Sequence, residues 1–108
     1  MLFEFIETPF FTRVVPRYLS DDEYAELQAF LNQRPEAGAL VPGSGGVRKV
    51  RWGTAGRGKR GGLRVIYYHR SGEGQIWLLT IYGKNVRENI PSHLLRQMKE
   101  AIDDEKAR

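Results

Sequence analysis

The chain of 108 residues has no cysteine and only two histidines, His69 and His93. Without cysteine it can form neither disulfides nor thiolate metal sites, and this composition fits the reducing cytoplasm. Two histidines without cysteine do not favour a structural zinc site, so neither a metal nor another cofactor is expected. No apolar run approaches the roughly 20 residues of a membrane span, so we expect a cytoplasmic protein without a membrane partner.

A second absence is local, because the segment Ala37–Gly72 contains no Asp or Glu. This third of the chain carries +8, whereas the whole chain carries only +4, which leaves −4 for the remainder. A field of one sign attracts a polyanion, and glycines let that polymer approach the backbone. Nucleic acid, and RNA in particular, is therefore the expected partner. The cations of the segment are Arg48, Lys49, Arg51, Arg57, Lys59, Arg60, Arg64 and Arg70.

The length and the 41% hydrophobic content indicate one soluble globular domain spanning residues 1–108. Two helices are predicted after the first strand, one interrupted by Pro16 and one opened by a Ser20–Glu23 capping box and stopped by Arg34-Pro35. The last helix begins near Pro91, and its acidic end is expected to fray because it opposes the helix dipole. The predicted strands are Leu2–Glu7, Val47–Trp52, Leu63–His69 and Gln75–Tyr82.

The predicted order is therefore β-α-α-β-β-β-α. Two helices in succession cannot both be crossovers of βαβ units. The fold class is α+β, with an antiparallel sheet, two N-terminal helices and a C-terminal helix.

Strand alternation groups some of the cations. Lys49 and Arg51 share one face of their strand, and Arg64 opens the next strand. If these strands pair across the glycine-rich loop between them, the three cations converge on one concave surface. The alternative is a solvated sheet edge whose charges prevent aggregation, and the sequence leaves both interpretations open.

Other chemistry finds little support. Gly53 through Lys59 fits a phosphate-binding loop, but such a loop must open a helix, and a predicted strand follows it. His69 and His93 suggest a two-histidine ribonuclease, yet nothing in the sequence places them together, and both are expected in solvent. Tyr82, at a strand end, is the aromatic residue expected to be exposed for stacking on bases.

The residues also carry a family resemblance. The segments GSGGVRKVRW, RGGLRVIYY and LTIYGKN, together with YLSDDEY at the second helix, resemble the HigB-type toxins of the RelE/ParE superfamily. The resemblance covers nearly the whole chain and implies the RelE-like microbial ribonuclease fold. It also implies the toxin half of a type II toxin–antitoxin pair. The partners it implies are a helix-turn-helix, HigA-like antitoxin and mRNA in the A site of the small (30S) ribosomal subunit.

Position by position, the resemblance implies catalytic roles for Arg64, Lys49, Arg51, Lys84 and Tyr82. Arg64 matches the arginine that opens the RVIYY strand, and Lys49 and Arg51 match the paired cations of the preceding strand. Lys84 lies in the GKN segment, where Arg87 is a competing match. The cations expected to contact RNA are Arg48, Arg57, Lys59, Arg60 and Arg87.

The expected activity is that of a metal-independent mRNA endoribonuclease that inhibits translation. Arg64 would clamp the scissile phosphate while Lys49 and Arg51 neutralise developing charge. Crowded like charges favour the neutral form of a lysine, which makes Lys84 or Lys59 the candidate general base. The alternatives are a ParE-like inhibitor of DNA gyrase without nuclease activity and a non-catalytic RNA-binding module.

Overall fold

The computed structural model describes residues 2–53, 62–83 and 90–106. Its elements are β1 (Glu4–Glu7), α1 (Pro9–Val14), α2 (Asp21–Gln33), β2 (Ala39–Leu40), β3 (Val47–Trp52), β4 (Leu63–Arg70), β5 (Gln75–Gly83) and α3 (Ser92–Lys106). The strands form one sheet in the order β1-β5-β4-β3-β2, and the helices pack on its two faces. The predicted α+β class is confirmed.

The first helix begins and ends where local chemistry requires. The Thr8 hydroxyl accepts a hydrogen bond from the Phe11 amide at 3.1 Å, and Pro9 occupies the first turn, where its missing N–H costs nothing. α1 ends at Val14, and a 3₁₀ turn that contains Pro16 follows. The predicted interruption is confirmed, because proline cannot donate the next helical hydrogen bond.

The capping box predicted for α2 is present. The Ser20 hydroxyl accepts from the Glu23 amide at 3.1 Å, and the Glu23 carboxylate accepts from the Ser20 amide at 2.8 Å. These two bonds satisfy backbone donors that the first helical turn leaves open. Leu27 and Leu31 on the inner side of the helix are fully buried.

The sheet is mixed rather than wholly antiparallel. β3, β4 and β5 form the expected antiparallel meander, whereas β1 pairs with β5 in parallel. The chain from β1 crosses one face of the sheet as α1 and α2 and returns at the opposite edge as β2. The sequence did not predict β2, because a strand of two residues carries no periodic pattern.

The sheet separates two apolar layers, since successive side chains of a strand point to opposite faces. On one face, Phe11, Leu27 and Leu31 from α1 and α2 pack on the sheet. On the other face, Leu95 and Ile102 of α3 pack on apolar residues of β3, β4 and β5. We call the second surface the α3 face. Within the part of the chain that the structure describes, no helix is long and apolar enough to cross a membrane.

A β-bulge in β5 changes which side chains reach the α3 face. The pairing passes from Ile66 opposite Thr80 to Tyr67 opposite Leu78, so Leu79 is one residue more than β4 can match. One extra residue shifts the alternation of the strand by one position. Tyr82 therefore lies on the α3 face, although regular alternation from Trp77 would place it on the other.

Candidate functional site

Three strands bring the predicted cations of the sheet together. Arg51 in β3 lies opposite Arg64 in β4, which in turn lies opposite Tyr82 in β5. Lys49 lies two residues from Arg51 on the same side of β3. Lys49, Arg51, Arg64 and Tyr82 thus share the α3 face, and we call the three cations the cationic face. The convergence expected from the alternation pattern is confirmed as geometry.

The arrangement costs free energy as it stands. Like charges directly opposite each other on antiparallel strands are destabilising. Lys49 and Arg51 are exposed, Arg64 is half-buried, and the Arg64 guanidinium donates to the Gly62 carbonyl at 3.3 Å. None of the three forms an ion pair with a carboxylate of the described residues. The ion pairs found there join His69 to Glu36, Arg70 and Lys99 to Asp103, and Arg96 to Glu100. This surface is suited to receive an anion.

A cleft of about 410 Å³ adjoins the cationic face. It lies between the α3 face of the sheet, the β2–β3 connection and the start of α3. The polar residues Lys49, Tyr82 and Ser92 line it. The other described residues that line it are apolar, namely Val41, Pro42, Ile66, Ile90, Pro91 and Leu95.

The connection between β2 and β3 is shaped by Ser44 and three glycines. The Ser44 hydroxyl accepts from the Val47 amide at 3.0 Å and donates to the Val41 carbonyl at 2.6 Å. Gly43, Gly45 and Gly46 have positive φ angles, which side chains of other residues rarely allow. The turn folds this connection against α3 and forms one wall of the cleft. The sequence pattern did not predict this wall.

The far end of α3 is held to the sheet by Asp103. Its carboxylate accepts from the Arg70 guanidinium at 2.9 Å and the Tyr68 hydroxyl at 3.0 Å, and it pairs with the Lys99 ammonium at 2.9 Å. Burial raises the pKa of Asp103, but these hydrogen bonds outweigh burial and hold the pKa below its ordinary value. α3 continues to Lys106, and the tertiary partners of Asp103 offset the unfavourable dipole at this position. The predicted fraying of the acidic end stays a prediction.

Arg48 lies apart from the cationic face. It points to the opposite side of β3, where its guanidinium donates to the carbonyls of Gly38 at 2.7 Å and Glu36 at 3.2 Å. The Tyr67 hydroxyl supports the same segment, since it donates to the Pro35 carbonyl at 2.8 Å. The structure thus gives Arg48 a role in holding the chain between α2 and β2. Its predicted contact with RNA stays a prediction.

The two histidines are far from forming a catalytic pair. His69 packs edge-to-face against Phe3 on the face of α1 and α2, whereas His93 is exposed on α3. The expectation that both lie in solvent is wrong for His69, whose side chain is 9% exposed and whose Nε2 finds no hydrogen-bond partner in the described structure. Burial lowers the pKa of His69. Neither histidine belongs to the cationic face.

The remaining site candidates lie outside the described residues. They are Arg57, Lys59, Arg60, Lys84 and Arg87. Across ranges 2–53, 62–83 and 90–106, no group of three or more His, Asp or Glu side chains is placed to hold a metal ion.

The sequence matches no protein-family profile. Its fold is shared with solved structures, among them two that contain RelE. The E. coli toxin RelE, a double arginine-to-alanine mutant in the free state, superposes with a TM-score of 0.57 at 12% identity, over 92% of this chain and 98% of that one. A chain of the archaeal RelE–RelB complex from Pyrococcus horikoshii OT3 gives 0.53 at 16% identity, over 82% of this chain and 100% of that one. The fold is therefore RelE-like, as the resemblance implied.

Proposed function

We propose that this chain is the toxin of a type II toxin–antitoxin pair, of the HigB type, and that it cleaves mRNA in the ribosomal A site without a metal. The observation that carries the proposal is the cationic face, where Arg51 and Arg64 oppose each other beside Lys49 with no carboxylate partner among the described residues. The RelE-like fold supports it, because one solved structure that shares the fold is that of a toxin.

The proposed reaction is an internal transfer at one phosphodiester. The 2′-oxygen attacks the phosphorus while a base accepts its proton, and the bond from phosphorus to the 5′-oxygen breaks as that oxygen takes up a proton. The products are a 2′,3′-cyclic phosphate and a 5′-hydroxyl. Negative charge accumulates on the non-bridging phosphate oxygens in the transition state, so fixed cations at that position accelerate the step.

The cationic face supplies those cations. Arg64 is held from behind by the Gly62 carbonyl, and its planar guanidinium can bind two phosphate oxygens at once. Arg51 and Lys49 neutralise the charge that develops beside it. Tyr82, opposite Arg64, borders the same phosphate position. The general base is assigned to Lys84 or Lys59, because the cationic face has neither a carboxylate nor a histidine among its described neighbours.

The proposed protein partner is a HigA-like, helix-turn-helix antitoxin. One structure that shares the fold is a RelE–RelB complex, which supports an antitoxin partner for this chain. The N-terminal part of α2, with Asp21, Asp22 and Glu23 on its first turn, offers an acidic surface on the side of the sheet away from the cationic face. We propose a cytoplasmic site of action.

The test is the chemistry of the cut ends. The purified toxin, first dialysed against a chelator, is added to ribosomes that translate a defined mRNA, and primer extension locates the cuts. We expect cuts only in translated mRNA, and 3′ ends that accept an adaptor only after the cyclic phosphate is removed. Ends with a free 3′-hydroxyl would contradict the mechanism. Growth arrest with intact mRNA and inhibited DNA supercoiling would favour gyrase as the target.

A further inference from the structure

The cleft beside the cationic face has walls that suit a flat apolar ring. Six of the nine described residues that line it are apolar, and they come from the β2–β3 connection, β4, the segment just before α3 and α3 itself. Its volume of about 410 Å³ lies in the range of about 300–1,000 Å³ that is usual for small-molecule sites. None of the described residues that line it is acidic, so they do not repel a phosphate group next to the cleft.

The cleft and the cationic face share residues. Lys49 belongs to both, and Tyr82 lines the cleft while it lies opposite Arg64. A phosphate held by Arg51 and Arg64 therefore has the cleft directly beside it. In RNA the group next to each phosphate is a ribose with its base, and bases leave their stack to bind aromatic and apolar surfaces.

We infer that the cleft holds one unstacked nucleobase of the RNA whose phosphate lies on the cationic face. This inference rests on the proposed function and adds a base subsite to it. An apolar side chain of a protein partner is the competing occupant. The base is favoured because the two cleft residues Lys49 and Tyr82 connect the apolar walls to the phosphate position.

Two small probes that differ only in the base test the inference. Adenosine 5′-monophosphate and ribose 5-phosphate are titrated into the intact protein, and NMR shifts of Ile66, Ile90 and Leu95 are followed. If one base stacks in the cleft, adenosine 5′-monophosphate should bind about tenfold tighter than ribose 5-phosphate, or more. Equal affinities, or no shift at these residues with the nucleotide, would overturn the inference without touching the nuclease proposal.

A side chain that fills the cleft should remove the preference for adenosine 5′-monophosphate over ribose 5-phosphate. In Pro42→Trp the new ring occupies the space next to the exposed Pro42, and the ratio of the two affinities should fall to about one. Ser92→Trp repeats the test from the α3 side and covers the case that one variant does not fold. Leu94→Trp is the matched control, because Leu94 is 42% exposed on α3 and does not line the cleft. It should keep the ratio.

Two further outcomes separate the hypotheses. A filled variant that keeps the nucleotide preference but no longer binds antitoxin would overturn the base subsite and assign the cleft to the protein partner. Wild-type protein that prefers the nucleotide yet never cuts translated mRNA would support the subsite and contradict the proposed nuclease function.

Discussion

Arg51 and Arg64 lie directly opposite each other on adjacent antiparallel strands, and neither has a carboxylate partner within the described structure. Two opposed guanidinium groups weaken the sheet in the absence of an anion. A phosphate between them would turn this repulsion into two charge-assisted contacts. The pair therefore costs stability in the free protein and gains it on binding.

Arg64→Ala should abolish growth inhibition and leave the fold intact. Among the described groups the side chain forms a hydrogen bond only to the Gly62 carbonyl, so its removal leaves no cavity in the apolar core. The scissile phosphate, in contrast, loses a bidentate hydrogen-bond donor. Loss of one such stabiliser typically costs about 100-fold in rate. The cleavage rate measures this, with Arg17→Ala, an exposed arginine of the 3₁₀ turn, as the control. Full toxicity of well-expressed Arg64→Ala would refute the assignment.

Arg51→Gln should stabilise the protein while it slows cleavage. Removal of one opposed charge relieves a repulsion of about 0.2–1 kcal/mol, and the same change withdraws a cation from the phosphate. Urea unfolding at an unchanged m-value measures the first effect, and the cleavage assay measures the second. Arg17→Gln makes the same chemical change at an exposed residue of the 3₁₀ turn, on the α1–α2 side of the sheet, and should alter neither. If Arg51→Gln lowered the unfolding free energy, the opposition of the two charges would not be the dominant effect.

RNA binding should weaken steeply with salt, because the basic segment displaces condensed counterions. For single strands, each lost phosphate contact lowers the slope of log K against log salt by about 0.7. Simultaneous charge reversal of Arg57, Lys59 and Arg60 should reduce that slope more than charge changes in α2 or α3 do. Fluorescence anisotropy at several salt concentrations gives the slope. A slope that stays the same would mean that these three cations are merely solvated.

Asp103 should make the stability depend on pH in the acidic range. Its pKa is lower in the folded chain than the ordinary value of 3.8, so its contribution is complete above about pH 5 and is lost as pH falls through the folded pKa. Hydrogen bonds to a charged group set the loss at about 1–2 kcal/mol, since Asp103 is only 32% exposed. Asp103→Asn should lack this pH dependence, and the exposed neighbour Asp104→Asn should keep it. Parallel profiles of all three proteins, measured by thermal unfolding, would count against the anchoring role.

Antitoxin binding should not depend on the cationic face. The acidic first turn of α2 lies on the opposite side of the sheet, and an antitoxin bound there can block ribosome entry by its bulk alone. Arg64→Ala should then bind antitoxin within about 1 kcal/mol of wild type, which is the scatter expected for a change outside an interface. A titration that shows a loss above about 3 kcal/mol would place Arg64 at an interface hot spot.

Much of the cationic face could be predicted because it depends on strand periodicity. Lys49 and Arg51 share a side by alternation, and a pairing of neighbouring strands was enough to bring Arg64 beside them. The capping box of α2 and the end of α1 before Pro16 also depend on local sequence and were equally predictable.

The cleft and the anchor of α3 could not be predicted in this way. The cleft exists because Pro42, Ile66 and Leu95, which are far apart in sequence, surround one space, and no local pattern encodes that meeting. Asp103 looked unfavourable on its own helix, and its partners Tyr68 and Arg70 lie more than thirty residues earlier in the chain. Both features depend on how α3 docks, which sequence periodicity does not specify.

Leu79, which has no partner residue in β4, affects how the residues of β5 are assigned to the two faces of the sheet. The alternation of side chains between the two faces shifts by one position at Leu79. Trp77 and Tyr82 therefore share a face although they are five positions apart. Removing that one leucine would return the strand to strict alternation and keep Tyr82 opposite Arg64, because the pairs on either side of the bulge already match. The face of Tyr82 thus follows from its pairing with β4 and not from its distance along the chain from Trp77, so an ungapped alignment of β5 with a strand that lacks the extra residue will match the wrong residue to Tyr82.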